Sequence, residues 1–369
     1  MSETRTVLSD QAPTLATAGG GPSAPPPWRA LLRWESGLVL VLVATLIFAG
    51  SNTENFFDQT DIFYIGLNMG EIAIMALPLT LIVMTGEIDL SVASMLGLSG
   101  TLMGYLFQHG WNIYLAMAVA LAVGTLGGAL NGVLVTKLGL PSIAVTIGTL
   151  TLFRGIAEII LGTSSVTGFP LSLSKIGVAP IQGTQISYSV AIFIGLALIC
   201  AVVLHATPLG RSIVAIGLQS EAAHFAGIRV NRIKFWLYVI SGLVCALAGI
   251  LFTLKNASAR YDAGTGLELN VVAIVLFGGV SIFGGRGSVA GVVLSVVIVG
   301  CLQQALTQMH VDAQVQNIVL GGLLLVSVIV PNGAEAMRRI RARVRPQARP
   351  PARAALDPLP PISNGRGSA

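Results

Sequence analysis

The chain has 369 residues, of which 54% are hydrophobic and only 10% are charged. A soluble domain carries about 25% charged residues, so this composition excludes an ordinary soluble enzyme, a disordered protein and a secreted disulfide scaffold. The net charge of +5 arises in the tails, since eight of the 21 Lys and Arg residues lie between Arg338 and Arg366. The sequence therefore predicts a polytopic membrane protein, and its positive charge does not indicate nucleic-acid binding.

Three regions follow from the distribution of apolar residues. Residues 1–34 are rich in Ala, Pro, Gly and Thr and lack the apolar stretch of a signal peptide, so they are predicted to be a disordered cytoplasmic tail. Residues 35–332 form the predicted transmembrane domain. Residues 333–369 are basic and rich in Pro, and they are predicted to be a second disordered cytoplasmic tail.

Ten apolar segments approach the length needed to cross the ~30 Å hydrocarbon core of a bilayer. Their approximate bounds are 36–51, 62–84, 89–107, 113–136, 141–162, 187–206, 235–254, 269–284, 287–309 and 314–331. The hairpin at 84–89 and the stretch 269–284 are the least regular, which is typical of broken or re-entrant elements. The predicted fold class is an all-α polytopic membrane protein with about ten transmembrane helices.

Two triplets hint at internal symmetry. Ser91-Val92-Ala93 and Ser288-Val289-Ala290 each open a segment after a turn, in the same orientation. A parallel internal repeat, as found in many transporters, is one interpretation, and chance agreement of three residues is the other.

Basic residues orient the segments, because Lys and Arg accumulate in cytoplasmic loops. With ten crossings both termini lie on one side, and that side collects 17 of the 21 basic residues. The opposite side receives Lys175, Lys255 and Arg260, while Arg154 falls within a segment. Both termini are therefore predicted to be cytoplasmic, and the protein is predicted to be a multi-pass component of the inner or plasma membrane.

Ionisable residues inside the segments are few: Glu71, Glu87, Asp89, Arg154 and Glu158. A charge at membrane depth is costly, so each is expected to face the bundle interior or a partner. Arg154 and Glu158 have i, i+4 spacing and are predicted to pair with each other. Asp89 is expected to cap the helix that follows it. No catalytic residue and no metal site is predicted.

Glycine runs interrupt the later segments at Gly278-Gly279 and Gly284-Gly285-Arg286-Gly287. Small residues commonly serve close helix packing in lipid. Non-helical backbone at membrane depth, however, is tolerated only where it is buried in protein or lines a wet cavity. These two runs are predicted to act as hinges or to line a pathway, with packing as the alternative.

The sequence around the first hairpin resembles a known transporter signature. Residues 76–99 read ALPLTLIVMTGEIDLSVASMLGLS. This run closely resembles the ribose/xylose/arabinose-type permeases of ATP-binding cassette (ABC) importers, within the branched-chain amino acid and monosaccharide permease superfamily. Most members have Gly at the positions of Glu87 and Ala93. Further stretches match in the family's order, and they are LNGVLV at 130–135, LPSIAVTIGTL at 140–150, 210–228 and 267–289.

Within that family the chain is most similar to the branch that serves rhamnose and autoinducer-2. The residues that carry this likeness are 71–80, LQQAL at 302–306 and QVQ at 314–316. The resemblance implies import of a sugar or sugar-like solute of the rhamnose, autoinducer-2, ribose or xylose class.

The resemblance also implies a transport subunit rather than an enzyme. The sequence contains no GxxxxGK[ST] phosphate loop, so ATP and Mg would be bound by a separate ATPase and this chain would bind no cofactor. In related permeases the ATPase docks on a short cytoplasmic helix, for which loop 207–234 is the candidate. The predicted coupling residues are Arg211, Glu221, Ala222, Ala223, Gly227 and Arg229, and a solvated basic loop is the alternative interpretation.

Gating and solute contact are assigned to two further sets. The predicted signature-turn and gating residues are Gly86, Glu87, Asp89, Ser91, Gly284, Gly285, Arg286 and Gly287. A neutral sugar needs hydrogen-bonding groups rather than charges, and the candidate pore-lining residues are Asn68, Asn131, Thr146, Thr149 and Asn270.

The implied partners are ABC ATPase subunits, an extracytoplasmic solute-binding protein, a second permease copy that is identical or related, and membrane lipid. Two alternatives remain. A branched-chain amino acid ABC permease would belong to the same superfamily, and a secondary ion-coupled carrier would work without ATP.

Overall fold

The computed structural model describes residues 34–54, 56–323, 325 and 329. Its helices are α1 (Trp34–Asn52), α2 (Gln59–Met84), α3 (Val92–Gln108), α4 (Ile113–Thr136), α5 (Ser142–Leu161), α6 (Leu171–Val178), α7 (Tyr188–Ala206), α8 (Pro208–Leu218), α9 (Ser220–Phe225), α10 (Val230–Asn256), α11 (Leu267–Phe277) and α12 (Val289–Gln308). A further helical stretch covers 313–323. The predicted tails 1–34 and 333–369 lie outside the described residues, except for Trp34.

The predicted all-α character is confirmed for this part of the chain. Each of the ten predicted apolar segments contains a helix, and α6, α8 and α9 lie in the connections between them. β-Bridge pairing is limited, in the described residues, to the isolated bridges Val166–Ala259 and Pro180–Ser187.

Seven of the described helices are long and apolar enough to cross a membrane: α1, α2, α4, α5, α7, α10 and α12. By contrast, α3 has 17 residues and α11 has 11. At 1.5 Å per residue α11 is about 16 Å long, roughly half the hydrocarbon core. A total of ten crossings, the cytoplasmic location of the termini and the internal repeat therefore stay predictions.

Two helices form the centre of the bundle. In the most apolar window of α2, 94% of the residues are buried, and the corresponding share is 78% for α10. The same share is 33% or less for α1, α4, α5 and α7, whose outward faces are rich in Leu, Ile and Val. This division suits a bilayer, because lipid tails accept apolar side chains that water would reject.

Glycines allow α4 and α10 to cross in backbone contact. A Cβ atom at Gly242 of α10 would lie 2.8 Å from both the Cα and the N of Gly128 on α4. Only residues without a side chain permit this approach, so the small residues fix the depth at which the two helices meet.

The connections between helices distinguish the two ends of the bundle. We call the end with the α2–α3 turn (85–91), α8, α9 and the α11–α12 connection (278–288) the α8 end. The other, the α6 end, holds the α1–α2 connection, α6 and the α10–α11 loop. The prediction that glycine runs interrupt helices is confirmed, since α11 ends at Phe277, and Gly279, Gly284 and Gly285 have φ between +73° and +87°.

Candidate functional site

Helix α8 presses directly on two turns at the α8 end. Gly217, in its last turn, faces the carbonyl of Met84 and the backbone of Gly284 and Gly285. The amide of Gly285 donates to the carbonyl of Met84 at 2.9 Å, which joins the two turns to each other. The predicted coupling segment and both predicted gating turns therefore meet at one point. Gly217 was not predicted from the sequence, because it has no charge or motif to mark it.

Hydrogen bonds to its backbone also hold the α2–α3 turn in place. Gly86 has a φ of +82°, a conformation that favours glycine and lets the chain reverse directly after α2. The amide of Ile88 donates to Ser142 Oγ at 3.2 Å, and the carbonyl of Ile88 accepts from Thr146 Oγ1 at 3.3 Å. Both partners belong to α5, so this helix holds the middle of the turn.

Asp89 lies at the centre of a buried polar network. Its Oδ1 accepts hydrogen bonds from the amide of Ser91 at 3.0 Å and from Ser91 Oγ at 2.6 Å. Its Oδ2 accepts from Ser241 Oγ of α10 at 3.3 Å, and Asn131 Nδ2 of α4 donates to Ser91 Oγ at 2.8 Å. Helices α4 and α10 are thereby joined to the turn through neutral donors, which suits a carboxylate that is 3% exposed.

The expectation that Asp89 caps α3 is wrong in its detail. The N-cap residue is Ser91, and its side chain makes no capping bond. Asp89 binds the amide of Ser91 itself, before the helix, because the carboxylate is turned toward Ser241 and the interior rather than toward the first turn of α3.

Glu87 forms an ion pair with α10. The ammonium of Lys234 donates to Glu87 Oε1 at 2.5 Å, and the two side chains are 13% and 17% exposed respectively. From the sequence, Lys234 was assigned to the basic loop 207–234 and was not paired with Glu87. The signal available in the sequence was the charge of Glu87 itself, because a charge in a turn between two apolar segments requires a partner.

The predicted coupling residues, apart from Ala223, lie on an exposed surface formed by α8, α9 and the α9–α10 connection. Arg211, Glu221, Ala222, Gly227 and Arg229 are exposed, whereas Ala223 is buried. Ala223 packs with Ile216 and Val230 in a small apolar cluster separate from the main core.

Two large apolar side chains on the same segment were not predicted. Phe225 of α9 is 87% exposed and Leu218 of α8 is 65% exposed. Exposed aromatic residues beside charged groups are typical of binding surfaces.

The gating residues of the α11–α12 connection occupy one tight turn. Gly284 and Gly285 are buried in it, Gly287 is half-buried and Arg286 is exposed. The amide of Ser281 donates to the carbonyl of Arg286 at 2.9 Å, and Ser288 caps α12 through Gly291.

The candidate pore-lining residues fall into two groups. Asn131 and Thr146 are buried and contact the α2–α3 turn, and Thr149 is buried one turn further along α5. Asn68 is exposed on α2, and Asn270 is half-buried on α11. The structure brings the first group to the signature turn and leaves the other two elsewhere, and a pore-lining role for all five stays a prediction.

The predicted pair of Arg154 and Glu158 does not form. Arg154 Nη1 donates to the carbonyls of Ala263 at 2.7 Å and Tyr261 at 3.3 Å, in the α10–α11 loop. Glu158 is exposed on the outer face of α5. Arg154 is half-buried, and it binds these fixed carbonyls, with Glu268 and Asp262 supplying negative charge nearby, rather than bending outward to Glu158.

Asp262 belongs to the same loop at the α6 end. Arg260 Nη2 contacts its Oδ2 at 2.8 Å, and this hydrogen-bonded guanidinium lowers the pKa of Asp262 below its ordinary value.

Glu71 pairs with Lys255, a partner that the sequence analysis did not assign. Lys255 Nζ donates to Glu71 Oε2 at 2.6 Å and to the carbonyl of Leu67 at 3.2 Å. Glu71 is 1% exposed, so the expectation that it faces the bundle interior is confirmed.

Comparison with known proteins matches the sequence of this chain to transport components. Residues 62–328 match the protein family described as "Branched-chain amino acid transport system / permease component". The chain is 32% identical to the autoinducer 2 import system permease protein LsrD of Photorhabdus laumondii over 302 residues, which cover 80% of this chain and 90% of that protein. The corresponding proteins of Klebsiella pneumoniae and Escherichia coli are 31% and 33% identical, covering 81% and 80% of this chain and 91% of each relative. No solved structure matches the chain.

Proposed function

The chain belongs to the family of branched-chain amino acid transport system permease components, and from this premise we propose that it is the membrane subunit of an ABC importer for a sugar-like solute. It is a multi-pass protein of the inner membrane and a transport subunit rather than an enzyme. The solute belongs to the class of autoinducer-2, rhamnose, ribose or xylose. The similarity to LsrD proteins favours autoinducer-2 within this class.

The contact of Gly217 with both turns is the observation that carries the proposed mechanism. Transport driven by a separate ATPase requires a mechanical path from the ATPase to the membrane helices. Exposed α8 and α9 offer the docking surface, and Gly217 transfers their movement to the turns at 85–91 and 284–287. These turns hold the ends of α2, α3 and α12, so their displacement changes the packing of the bundle.

The ATPase would bind ATP and Mg, and this chain would bind neither. A loaded solute-binding protein would dock at the α6 end, where α6 and the α10–α11 loop provide polar residues. Both termini and the α8 end would face the cytoplasm, as the distribution of Lys and Arg predicts. Ten crossings would then comprise the seven long helices together with α3, the half-length α11 and the stretch that begins at 313.

The transporter would contain two permease copies. The outward face of α5 is less lipid-like than the others, because Gly148, Thr151 and Glu158 interrupt its apolar residues. We assign this face to the contact with the second copy and place the solute path beside it, near the buried Thr146 and Thr149. Weak polar contacts suit a path that must also release its cargo.

The proposal is tested by co-expressing the chain with the ATPase and the solute-binding protein encoded beside it. ATP hydrolysis is measured in nanodiscs with autoinducer-2, rhamnose, ribose and xylose in turn. We expect one loaded binding protein to stimulate hydrolysis. Glu221→Lys, on exposed α9, should abolish co-purification of the ATPase, whereas Glu54→Lys makes the same charge change at the α6 end and should preserve it.

Failure of the ATPase to co-purify with the unmodified chain, together with uptake driven by a sodium or proton gradient, would overturn the importer proposal. Stimulation only by a binding protein loaded with a branched-chain amino acid would retain the ABC mechanism and replace the solute class.

A further inference from the structure

Two ion pairs join the α2 side of the bundle to α10, one near each end of α10. Lys234 lies in the second turn of α10 and pairs with Glu87, directly after α2. Lys255 lies in the last turn and pairs with Glu71, near the middle of α2. The two lysines are 21 residues apart, which corresponds to about 30 Å along the helix. The central helix pair is thus held at two widely separated points.

The Glu71–Lys255 pair is built to stay closed. Glu71 is 1% exposed, and Ser189 Oγ of α7 lies 3.5 Å from its Oε1. Lys255 also donates to the carbonyl of Leu67, and its Nζ lies 5.5 Å from the centre of the Phe252 ring. Several partners would have to be replaced at once to open this pair, and breaking a buried ion pair on one side is strongly destabilising.

The Glu87–Lys234 pair differs from it in its carboxylate. The two lysines are covered to a similar extent, with 13% of Lys234 and 15% of Lys255 exposed. Glu87, however, is 17% exposed against 1% for Glu71, and it follows Gly86, the residue at which the chain reverses. Among the described residues, the side chain of Glu87 accepts one hydrogen bond, which comes from Lys234. This pair opens at a smaller free-energy cost than the Glu71–Lys255 pair, because water can reach the carboxylate of Glu87 and replace its partner there.

Helix α10 connects this pair rigidly to α8 and α9, the proposed docking surface for the ATPase. Val230, in the first turn of α10, packs with Ile216 of α8 and Ala223 of α9. Lys234 follows Val230 by four residues and therefore lies one turn further on the same side of the helix. A movement of the α8–α9 cluster carries the first turn of α10 and Lys234 with it.

We propose that Glu87 and Lys234 are a positioning pair that makes the α2–α3 turn follow the displacement of α8 and α9, while the Glu71–Lys255 pair is the fixed point that keeps α2 and α10 together. This inference rests on the proposed function, since it assigns the residues that transmit movement within the importer. Contact with Gly217 displaces the turn in one direction, and the ion pair with Lys234 draws it back. The turn therefore follows α8 and α9 in both directions of their movement.

The test compares single and paired charge reversals in the assembled transporter. The variants are Glu87→Lys, Lys234→Glu and the double variant that restores an ion pair in reversed order. Each is assayed in nanodiscs for ATP hydrolysis with and without loaded binding protein, and in sealed proteoliposomes for solute transported per ATP. Thermal unfolding of each preparation separates loss of coupling from loss of fold.

We expect each single reversal to reduce the ratio of stimulated to basal hydrolysis about fivefold or more, the factor that corresponds to about 1 kcal/mol for a partly exposed pair. The double variant should regain most of the ratio. Glu87→Gln and Lys234→Gln, which remove charge without repulsion, serve as milder variants if a reversal fails to assemble.

The Glu71–Lys255 pair is the matched control. Glu71→Gln should mainly lower the unfolding temperature and the yield, whereas Glu87→Gln should mainly lower the stimulation ratio. An unchanged ratio in both single reversals, or no recovery in the double variant, would overturn the inference while the unmodified transporter still imports. A lack of ATP-driven import by the unmodified transporter would instead refute the proposed function.

Discussion

Replacing Gly217 by Ala tests the contact on which the mechanism depends. A Cβ atom at this position would overlap the carbonyl O of Met84 and the amide N of Gly285, and it would lie 3.0 Å from the carbonyl C of Gly284. All three are backbone atoms within turns, so none can move aside as the end of a flexible side chain can. The added methyl group must therefore displace α8 or separate the two turns.

The size of the effect follows from two opposing contributions. Ala in a helix is favoured over Gly by roughly 0.5–1 kcal/mol, whereas overpacking a closed contact costs about 1–3 kcal/mol. Because backbone lies on several sides of the new methyl group, we expect the upper part of that range, with a net loss of about 1–2 kcal/mol. Gly195→Ala is the matched control, since a Cβ atom at Gly195 of α7 meets no atom within 4 Å.

Thermal unfolding in nanodiscs measures the stability difference between the two variants. ATP hydrolysis with loaded binding protein then measures coupling. We expect Gly217→Ala to unfold at a lower temperature and to lose most of the stimulation, while Gly195→Ala is at least as stable as the unmodified chain. Equal stability and equal stimulation in both variants would refute the contact between α8 and the turns.

Three further substitutions address the network and the docking surface. Glu71→Gln leaves the ammonium of Lys255 without its charge partner and is expected to reduce stability by about 3–5 kcal/mol, measured by thermal unfolding; a shift of under one degree would contradict the buried pair. Asp89→Asn offers one acceptor oxygen where the carboxylate offers two, so we expect a loss of about 1–3 kcal/mol, and unchanged unfolding would show that the network is not formed. Phe225→Ala should leave unfolding unchanged but weaken ATPase co-purification about tenfold or more, as for an exposed aromatic anchor; the lipid-facing Leu198→Ala is its control, and equal co-purification by both would remove Phe225 from the interface.

Local sequence patterns predicted the helices, although the predicted segment 269–284 runs past the end of α11 at Phe277. Long apolar runs predict membrane helices because every backbone group must be paired within the segment when no water is available. Glycine runs predict interruptions because the backbone there adopts positive φ, as Gly284 and Gly285 do. The signature around Glu87 and Asp89 marked the α2–α3 turn as a site before any contact was known.

Pairing between distant residues was decided only by tertiary structure. Arg154 and Glu158 have the spacing of a helical pair, yet the α10–α11 loop brings the carbonyls of Tyr261 and Ala263 to Arg154 instead. Likewise, Glu87 meets Lys234 across 147 positions of sequence. Spacing describes neighbours within one helix, whereas these partners depend on which helices lie side by side.

The same limit applies to Gly217. The sequence shows a glycine near the end of a short helix and gives no reason to prefer it to the other 42. Its importance comes from the backbone of two turns that lie more than 60 positions away on either side. Composition and periodicity thus predicted a polytopic membrane protein, because they reflect whether each segment is in contact with lipid or with water. The packing of α8 against both turns, which we propose as the route of movement, was decided only by the tertiary structure, because contact between backbones is a property of the assembled fold alone.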